Sequence, residues 1–168
     1  QAGCIPPMLD WQDVIAKAPT GTGKTFAYGI PIVEHIEPEF ESVQAVILAP
    51  TRELAIQIQD ELRDLCAFKE GVRVVCLYGG QPIDKQITQL KKKPQIVVAT
   101  PGRLMDHMKR RTVKLDKVQT VVLDEADRML DMGFVRDVTH ILDKMPKRRN
   151  LGMFSATISR EVLDISWV

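Results

Sequence analysis

Aromatic residues are scarce in this chain of 168 residues: Phe, Trp and Tyr make up 5% of it. Interleaved stacking platforms for single-stranded bases are therefore missing. An excess of one charge is missing too, since 23 Lys and Arg stand against 22 Asp and Glu for a net charge of +1. That excludes capture of polyanions by bulk electrostatics and leaves any phosphate recognition to a few well-placed side chains. The three cysteines, Cys4, Cys66 and Cys76, form no Cys-x-x-Cys pair and lie in or beside apolar stretches. A zinc site or disulfide framework is not expected, and the thiols suit a reducing cytoplasm. No apolar run approaches the ~20 residues that cross a bilayer, and Gln1-Ala2-Gly3-Cys4 has no charged segment followed by an apolar one. A soluble cytoplasmic protein without a membrane partner is expected. No internal repeat or low-complexity stretch is present. The abrupt ends, Gln1 without a methionine and Trp167-Val168 in mid-pattern, are those expected of a piece of a longer chain.

What is present is 45% apolar sequence, enough for the core of one domain and short for two. Strands are expected at Asp13–Ala16, Ala45–Ala49, Val72–Leu77, Ile96–Ala99 and Thr120–Leu123, with a weaker one at Leu151–Phe154. Several are apolar without alternation, as strands covered on both faces are. Between them, Leu54, Ile58, Leu62 and Leu65 step at helical spacing and predict an amphipathic helix from about Arg52 to Phe68. Val135, Val138, Ile141, Leu142 and Met145 repeat the pattern. Strands alternating with helices define an α/β fold, a parallel sheet with helices on both faces.

The chemistry-bearing residues fall at the carboxyl ends of those strands, the edge at which open α/β sheets bind ligands. Ala18-Pro19-Thr20-Gly21-Thr22-Gly23-Lys24-Thr25 follows a strand and opens a helix, the context of a P-loop. Glycines turn consecutive N–H groups onto an anion and helix N-terminal amides add partial positive charge. Lys24 can reach the β- and γ-phosphates, and the Thr25 hydroxyl can coordinate Mg²⁺. The usual first glycine is Ala18 here. Val121-Val122-Leu123-Asp124-Glu125 is an apolar strand delivering two adjacent carboxylates to the same edge. Asp124 is placed to hold Mg²⁺ and Glu125 to accept a proton from an attacking water, unless the pair merely caps the next helix. Together the two segments point to Mg²⁺-dependent cleavage of the β–γ bond of a nucleoside triphosphate.

Asp124-Glu125-Ala126-Asp127 is the signature of the DEAD-box RNA helicases, and the chain resembles that family's first RecA-like domain along its whole length. The alanine at 18 matches the family's P-loop. Pro50-Thr51-Arg52-Glu53-Leu54-Ala55, Gly79-Gly80, Thr100-Pro101-Gly102-Arg103 and Ser155-Ala156-Thr157 agree with further family motifs in order and spacing. The resemblance implies a RecA-like P-loop NTPase domain with ATP and Mg²⁺ as cofactors and RNA as partner. It places ATP on Thr20, Gly21, Thr22, Gly23, Lys24 and Thr25, with Lys24, Asp124 and Glu125 catalytic. Gln1 stands where the family keeps an adenine-reading glutamine, although the aromatic residue and Pro-Thr pair that accompany it there are absent. By the same resemblance, Pro50, Thr51, Arg52, Gly79, Gly80, Thr100, Pro101, Gly102 and Arg103 grip the RNA backbone, and Ser155 and Thr157 bond Asp127 to couple hydrolysis to domain closure.

Physical readings stand beside these. Hydroxyls, glycine amides and a guanidinium fork suit phosphate oxygens and read no base edge. The threonines can equally cap helices, Pro101 can open one, and Arg52 can pair with a nearby carboxylate. Lys91–Lys93, Lys109–Arg111 and Lys147–Arg149 read as solvated helix ends, and His35, His107 and His140 as surface or packing residues. The resemblance further implies a second RecA-like domain of the same protein, absent from these 168 residues, whose arginines complete the ATP site. The isolated chain is then expected to be monomeric and nearly inactive. A DNA-directed helicase or translocase, and a non-catalytic RNA-binding module, are the alternative readings.

Overall fold

A computed structural model describes residues 5–18 and 24–168 of the chain. Gln1, Cys4, Thr20, Gly21, Thr22 and Gly23 lie outside the described residues. In chain order the elements are α1 (Ile5–Leu9), β1 (Val14–Lys17), α2 (Lys24–His35), β2 (Ala45–Leu48), α3 (Arg52–Cys66), β3 (Val74–Leu77) and α4 (Ile83–Leu90). There follow β4 (Ile96–Ala99), α5 (Pro101–Lys109), β5 (Thr120–Asp124), α6 (Ala126–Asp131), α7 (Val135–Asp143), β6 (Asn150–Ser155) and α8 (Arg160–Ile165).

The six strands form one sheet in the order β1-β6-β5-β2-β4-β3, and every neighbouring pair is parallel. Strand periodicity explains the two-sided core: successive side chains point to opposite faces. Val46, Leu48, Val97, Val121, Leu123 and Met153 face one apolar layer, which Leu104, Met129, Ile141 and Val162 of the helices complete. Ala45, Ile47, Ile96, Val98, Val122 and Phe154 face the other, with Tyr28, Ile32, Ile58 and Leu62. Each of the four central and flanking strands β2 to β5 is buried at every position, as their unalternating sequences require.

Six strands stand where the sequence places them, with ends shifted by a residue or two. β3 begins at Val74 rather than Val72 because the Arg73 amide is taken by the Gln95 side-chain carbonyl at 2.8 Å. The weak last strand is longer than its pattern suggests: Asn150 pairs with Thr120, and the Ser155 carbonyl accepts from Ala18 N at 2.8 Å. Gly152 sits where a Cβ would lie 3.3–3.5 Å from Phe154, Met8 and Val122, so the packing there has little room for a side chain. α3 starts at Arg52, with Thr51 Oγ1 accepting from Leu54 N at 3.2 Å as its cap, and ends at Cys66 rather than at Phe68.

Candidate functional site

Strand order sorts the loops at the carboxyl rim into two groups of three. β1, β6 and β5 are contiguous, and their loops carry the Lys24 segment, Ser155–Thr157 and Asp124–Asp127. β2, β4 and β3 form the other half, and their loops carry Pro50–Arg52, Thr100–Arg103 and Gly79–Gly80.

In the first half, Lys24 opens α2 and its Nζ lies 2.7 Å from Asp124 Oδ1 and 3.5 Å from Glu125 Oε2, all three residues being buried. Asp124 is the last residue of β5, so the apolar strand delivers its carboxylate to the rim. It does not cap a helix. The cap position of α6 belongs to Glu125, whose side chain makes no capping bond and whose φ of +53° is the left-handed region uncommon for a residue with a Cβ. That turn aims Glu125 at Lys24 on one side and at Arg128, whose Nη1 is 3.4 Å away, on the other.

Tyr28 lies one helical turn beyond Lys24 on the same face of α2. Its hydroxyl donates to Asp124 Oδ2 at 2.7 Å, and its ring packs against Phe154 with centroids 5.2 Å apart. Burial pushes the Asp124 carboxyl up, the Lys24 ammonium and the Tyr28 hydroxyl oppose the rise, and the Glu125 charge adds to it. Burial likewise carries the Tyr28 hydroxyl well above its ordinary range, helped by the negative charge of Asp124. Tyr28 therefore stays a donor.

The donor set fits a hard cation. Asp124 Oδ1 is buried and makes no aligned hydrogen bond, its close neighbour being the Lys24 ammonium, so it retains lone pairs for a cation or a cation-bound water. Thr25, with its hydroxyl, is buried beside Lys24 in the first turn of α2. No group of three or more His, Cys, Asp or Glu that could hold a metal occurs among the described residues. One carboxylate and one hydroxyl match the way Mg²⁺ is held when substrate phosphates supply the rest.

Ser155, Thr157 and Asp127 do come together. Asp127 Oδ2 accepts from the Thr157 hydroxyl at 2.9 Å and from its amide at 3.0 Å, while Ser155 Oγ accepts from Asp127 N at 3.1 Å and donates to Thr157 O at 2.6 Å. Burial pushes the Asp127 carboxyl upward, but the Thr157, Ser155 and Arg128 bonds outweigh it and leave the group below its ordinary value.

In the second half, Thr51 caps α3 through its oxygen, which leaves the hydroxyl proton free to donate. Thr100 takes the cap position of α5 without a side-chain cap bond, and Pro101 opens that helix. Pro50 and Pro101 are buried. At Gly79 and Gly102 nothing lies within 4 Å of where a Cβ would stand, so their backbone faces open space. Gly80 has φ +93° and lies against Arg52 Nη1. Arg52 forms no ion pair with a carboxylate among the described residues; its guanidinium sits over the Tyr78 ring, 5.6 Å from the centroid. Arg103 donates through Nη1 to Gln81 O at 2.9 Å and Gln86 Oε1 at 3.1 Å.

Residue patterning alone missed Tyr28, Gln86 and Arg128, and read His107 only as a surface or packing residue. Tyr28 was detectable as the i+4 neighbour of Lys24, whereas the Gln86–His107 contact spans 21 residues and leaves no local signal. The remaining charges behave as expected for the most part. Lys91–Lys93 and Lys109–Arg111 are exposed, while Arg148 donates to Leu142 O at 3.0 Å and Arg149 stacks 3.9 Å over Trp11. His35 stacks on Trp11, centroids 3.7 Å apart. Cys66 and Cys76 are buried free thiols, pushed by burial to about 11 and about 12, and so are not reactive at neutral pH.

A parallel sheet with a lysine at a helix N-terminus facing carboxylates at and just beyond a strand end is the architecture of a RecA-like P-loop domain. The particular family follows from comparison. Residues 1–165 match the DEAD/DEAH box helicase family, and the chain belongs to it. The DEAD-box ATP-dependent RNA helicase CshA of Bacillus licheniformis is 52% identical over 166 residues, which cover 99% of this chain and 34% of the relative. The ATP-dependent RNA helicase DeaD of Escherichia coli is 47% identical, with 99% and 26% covered. A crystal structure of a DEAD box protein from Methanococcus jannaschii superimposes with a TM-score of 0.91 at 42% identity, covering 98% of this chain and 45% of that one. The chain thus spans about a third or less of the length of these curated relatives. No helix among the described residues is long and apolar enough to cross a membrane.

Proposed function

We propose that this chain is the ATP-binding and RNA-gripping first RecA-like domain of an ATP-dependent RNA helicase. The convergence of Lys24, Asp124 and Glu125 on one half of a rim whose other half presents Thr51, Gly79–Gly80 and Arg103 carries this reading. Thr20–Thr25 cradle the triphosphate and Gln1 reads the adenine edge. A phosphate tail ahead of α2 competes with Asp124 and Glu125 for the Lys24 ammonium, so binding moves that cation from carboxylate to phosphate. Thr25 and Asp124 would hold Mg²⁺, which supplies neutralisation of the phosphate charge when bound. Glu125, released from Lys24, orients the attacking water and accepts its proton. Tyr28 keeps Asp124 turned to the site. Asp127, tied to Ser155 and Thr157, transmits the state of the site to the base of α8, toward a second RecA-like domain in the same protein.

The other half of the rim holds one RNA strand by its backbone. Thr51 and Thr100 offer hydroxyl protons, Gly79 and Gly102 offer amides at close approach, Arg103 a guanidinium edge and Arg52 a second cation. Pro50 and Pro101 shape these loops from within. A groove of this kind is nearly blind to sequence. Phosphate release by the full-length protein with poly(U), with matched single-stranded DNA and with neither tests the reading. Stimulation by RNA alone is expected, because 2′-hydroxyl contacts separate the two polymers. Equal stimulation by DNA makes it a DNA-directed translocase, and binding of RNA without any turnover makes it a non-catalytic module. The 168-residue chain alone, without the second domain's arginines, is expected to turn over hardly at all.

A further inference from the structure

Gln86 is completely buried on α4, and its side-chain amide is saturated. Nε2 donates to Tyr78 O at 2.9 Å and Gln81 Oε1 at 3.0 Å, while Oε1 receives Arg103 Nη1 at 3.1 Å and His107 Nε2 at 2.8 Å. A carbonyl only accepts and a guanidinium only donates, so the orientation of this amide follows from its partners. The same logic assigns His107. Its Nε2 must carry a proton to bond Oε1, and in the neutral ring Nδ1 then accepts from the Thr112 hydroxyl at 2.7 Å. His107 is itself fully buried.

The consequence for Arg103 is geometric. Both protons of Nη1 are committed, to Gln81 O and to Gln86 Oε1. The Nε and Nη2 edge has no protein acceptor among the described residues, and the side chain is half-buried. A guanidinium held by one arm presents the other edge as a fixed bidentate donor, the form that suits a phosphate. Gln86 also fixes the Tyr78 carbonyl at the base of the Gly79–Gly80 loop, and the Tyr78 ring carries Arg52. One buried amide therefore ties together the segments that follow β3 and β4, and the Tyr78 ring beside it carries Arg52 from the segment after β2.

We propose that Gln86 is a positioning residue for RNA binding, fixing the Arg103 guanidinium so that its free edge faces the RNA strand, with His107 as its buttress. This rests on the RNA reading given above. Gln86 touches no RNA and no nucleotide; it acts through Arg103.

The test is a double-mutant cycle in the full-length protein, Gln86→Met with Arg103→Ala, read as the Kd for a fluorescein-labelled single-stranded RNA with a non-hydrolysable ATP analogue present. Gln86→Met alone is expected to weaken RNA binding about tenfold, with the affinity for a fluorescent ATP analogue unchanged within about twofold. On the Arg103→Ala background the same change is expected to add less than about twofold, because its effect runs through the guanidinium. An equal loss on both backgrounds, or a parallel loss of nucleotide affinity, makes Gln86 a structural residue and overturns the proposal. RNA binding by Gln86→Met as tight as wild type overturns it as well. If the wild type itself binds no RNA, the functional reading falls first and this assignment with it. Should Gln86→Met fail to fold, His107→Leu, which removes the donor to Oε1, carries the same expectations.

Discussion

The Tyr28 hydroxyl donates to Asp124 Oδ2 across 2.7 Å, at a depth where neither residue has exposed surface. With Oδ2 committed to the tyrosine, Oδ1 is the oxygen that meets Lys24, so the rotation of the carboxylate is fixed from inside the core. Tyr28→Phe keeps the ring against Phe154 and removes only this bond. It is expected to cost about 1 kcal/mol of stability, read as a shift in the urea midpoint, and to lower kcat for ATP while leaving KM nearly unchanged.

Lys24 is the counter-charge of a buried carboxylate, and its loss leaves Asp124 desolvated without a partner. Lys24→Met is therefore expected to destabilise the fold by about 3 kcal/mol, and Lys24→Met with Asp124→Asn by clearly less, because the double change removes the orphaned charge too. Chemical denaturation of both variants and of Asp124→Asn separates the pair from its parts. Simple addition of the two single effects would remove the pair from the account.

Asp127 titrates below its ordinary value of 3.8 in the folded chain. The folded state then binds a proton less readily than the unfolded one, so the bridge to Thr157 contributes its full stability above about pH 4 and loses it as the pH falls through the folded value. The stability difference between wild type and Asp127→Asn is expected to be constant from pH 5 to neutrality and to shrink below pH 4. Urea midpoints across that range decide it; a difference that grows in acid would reverse the sign.

Gly80 occupies a φ of +93° with Arg52 Nη1 3.0 Å from the place of a Cβ. Gly80→Ala is expected to cost about 1–2 kcal/mol through backbone strain and to displace Arg52 from Tyr78. RNA affinity should fall while nucleotide affinity holds. Gly79→Ala, at a position with open space around it, is the control for stability.

Much of this was legible from residue patterns, for reasons visible in particular elements. Val121-Val122-Leu123 is apolar on both faces and announces a buried strand whose end must carry Asp124 outward. Lys24 after a glycine-rich turn announces a helix N-terminus. What pattern could not supply was strand order, because parallel neighbours come from distant segments. That β6 lies between β1 and β5, and β4 between β2 and β3, is what divides the rim into one half carrying Lys24, Asp124 and Ser155 and another carrying Thr51, Gly79 and Arg103. The buried polar contacts were equally hidden. Tyr28 is 96 residues from Asp124, and Gln86 reads locally as one more polar position on an amphipathic helix. Arg52 shows the limit from the other side: its charge suggests a carboxylate partner, and the fold gives it an aromatic face instead.

The central claim is that the carboxylates ending β5 drive ATP cleavage under the control of RNA. Phosphate release by the full-length protein, wild type against Glu125→Gln, with and without single-stranded RNA and with nucleotide binding followed in parallel, tests it most directly. The account predicts RNA-stimulated release by the wild type and a loss of about 100-fold or more in Glu125→Gln, with ATP still bound. Equal release by the two proteins, or release indifferent to RNA, would contradict it.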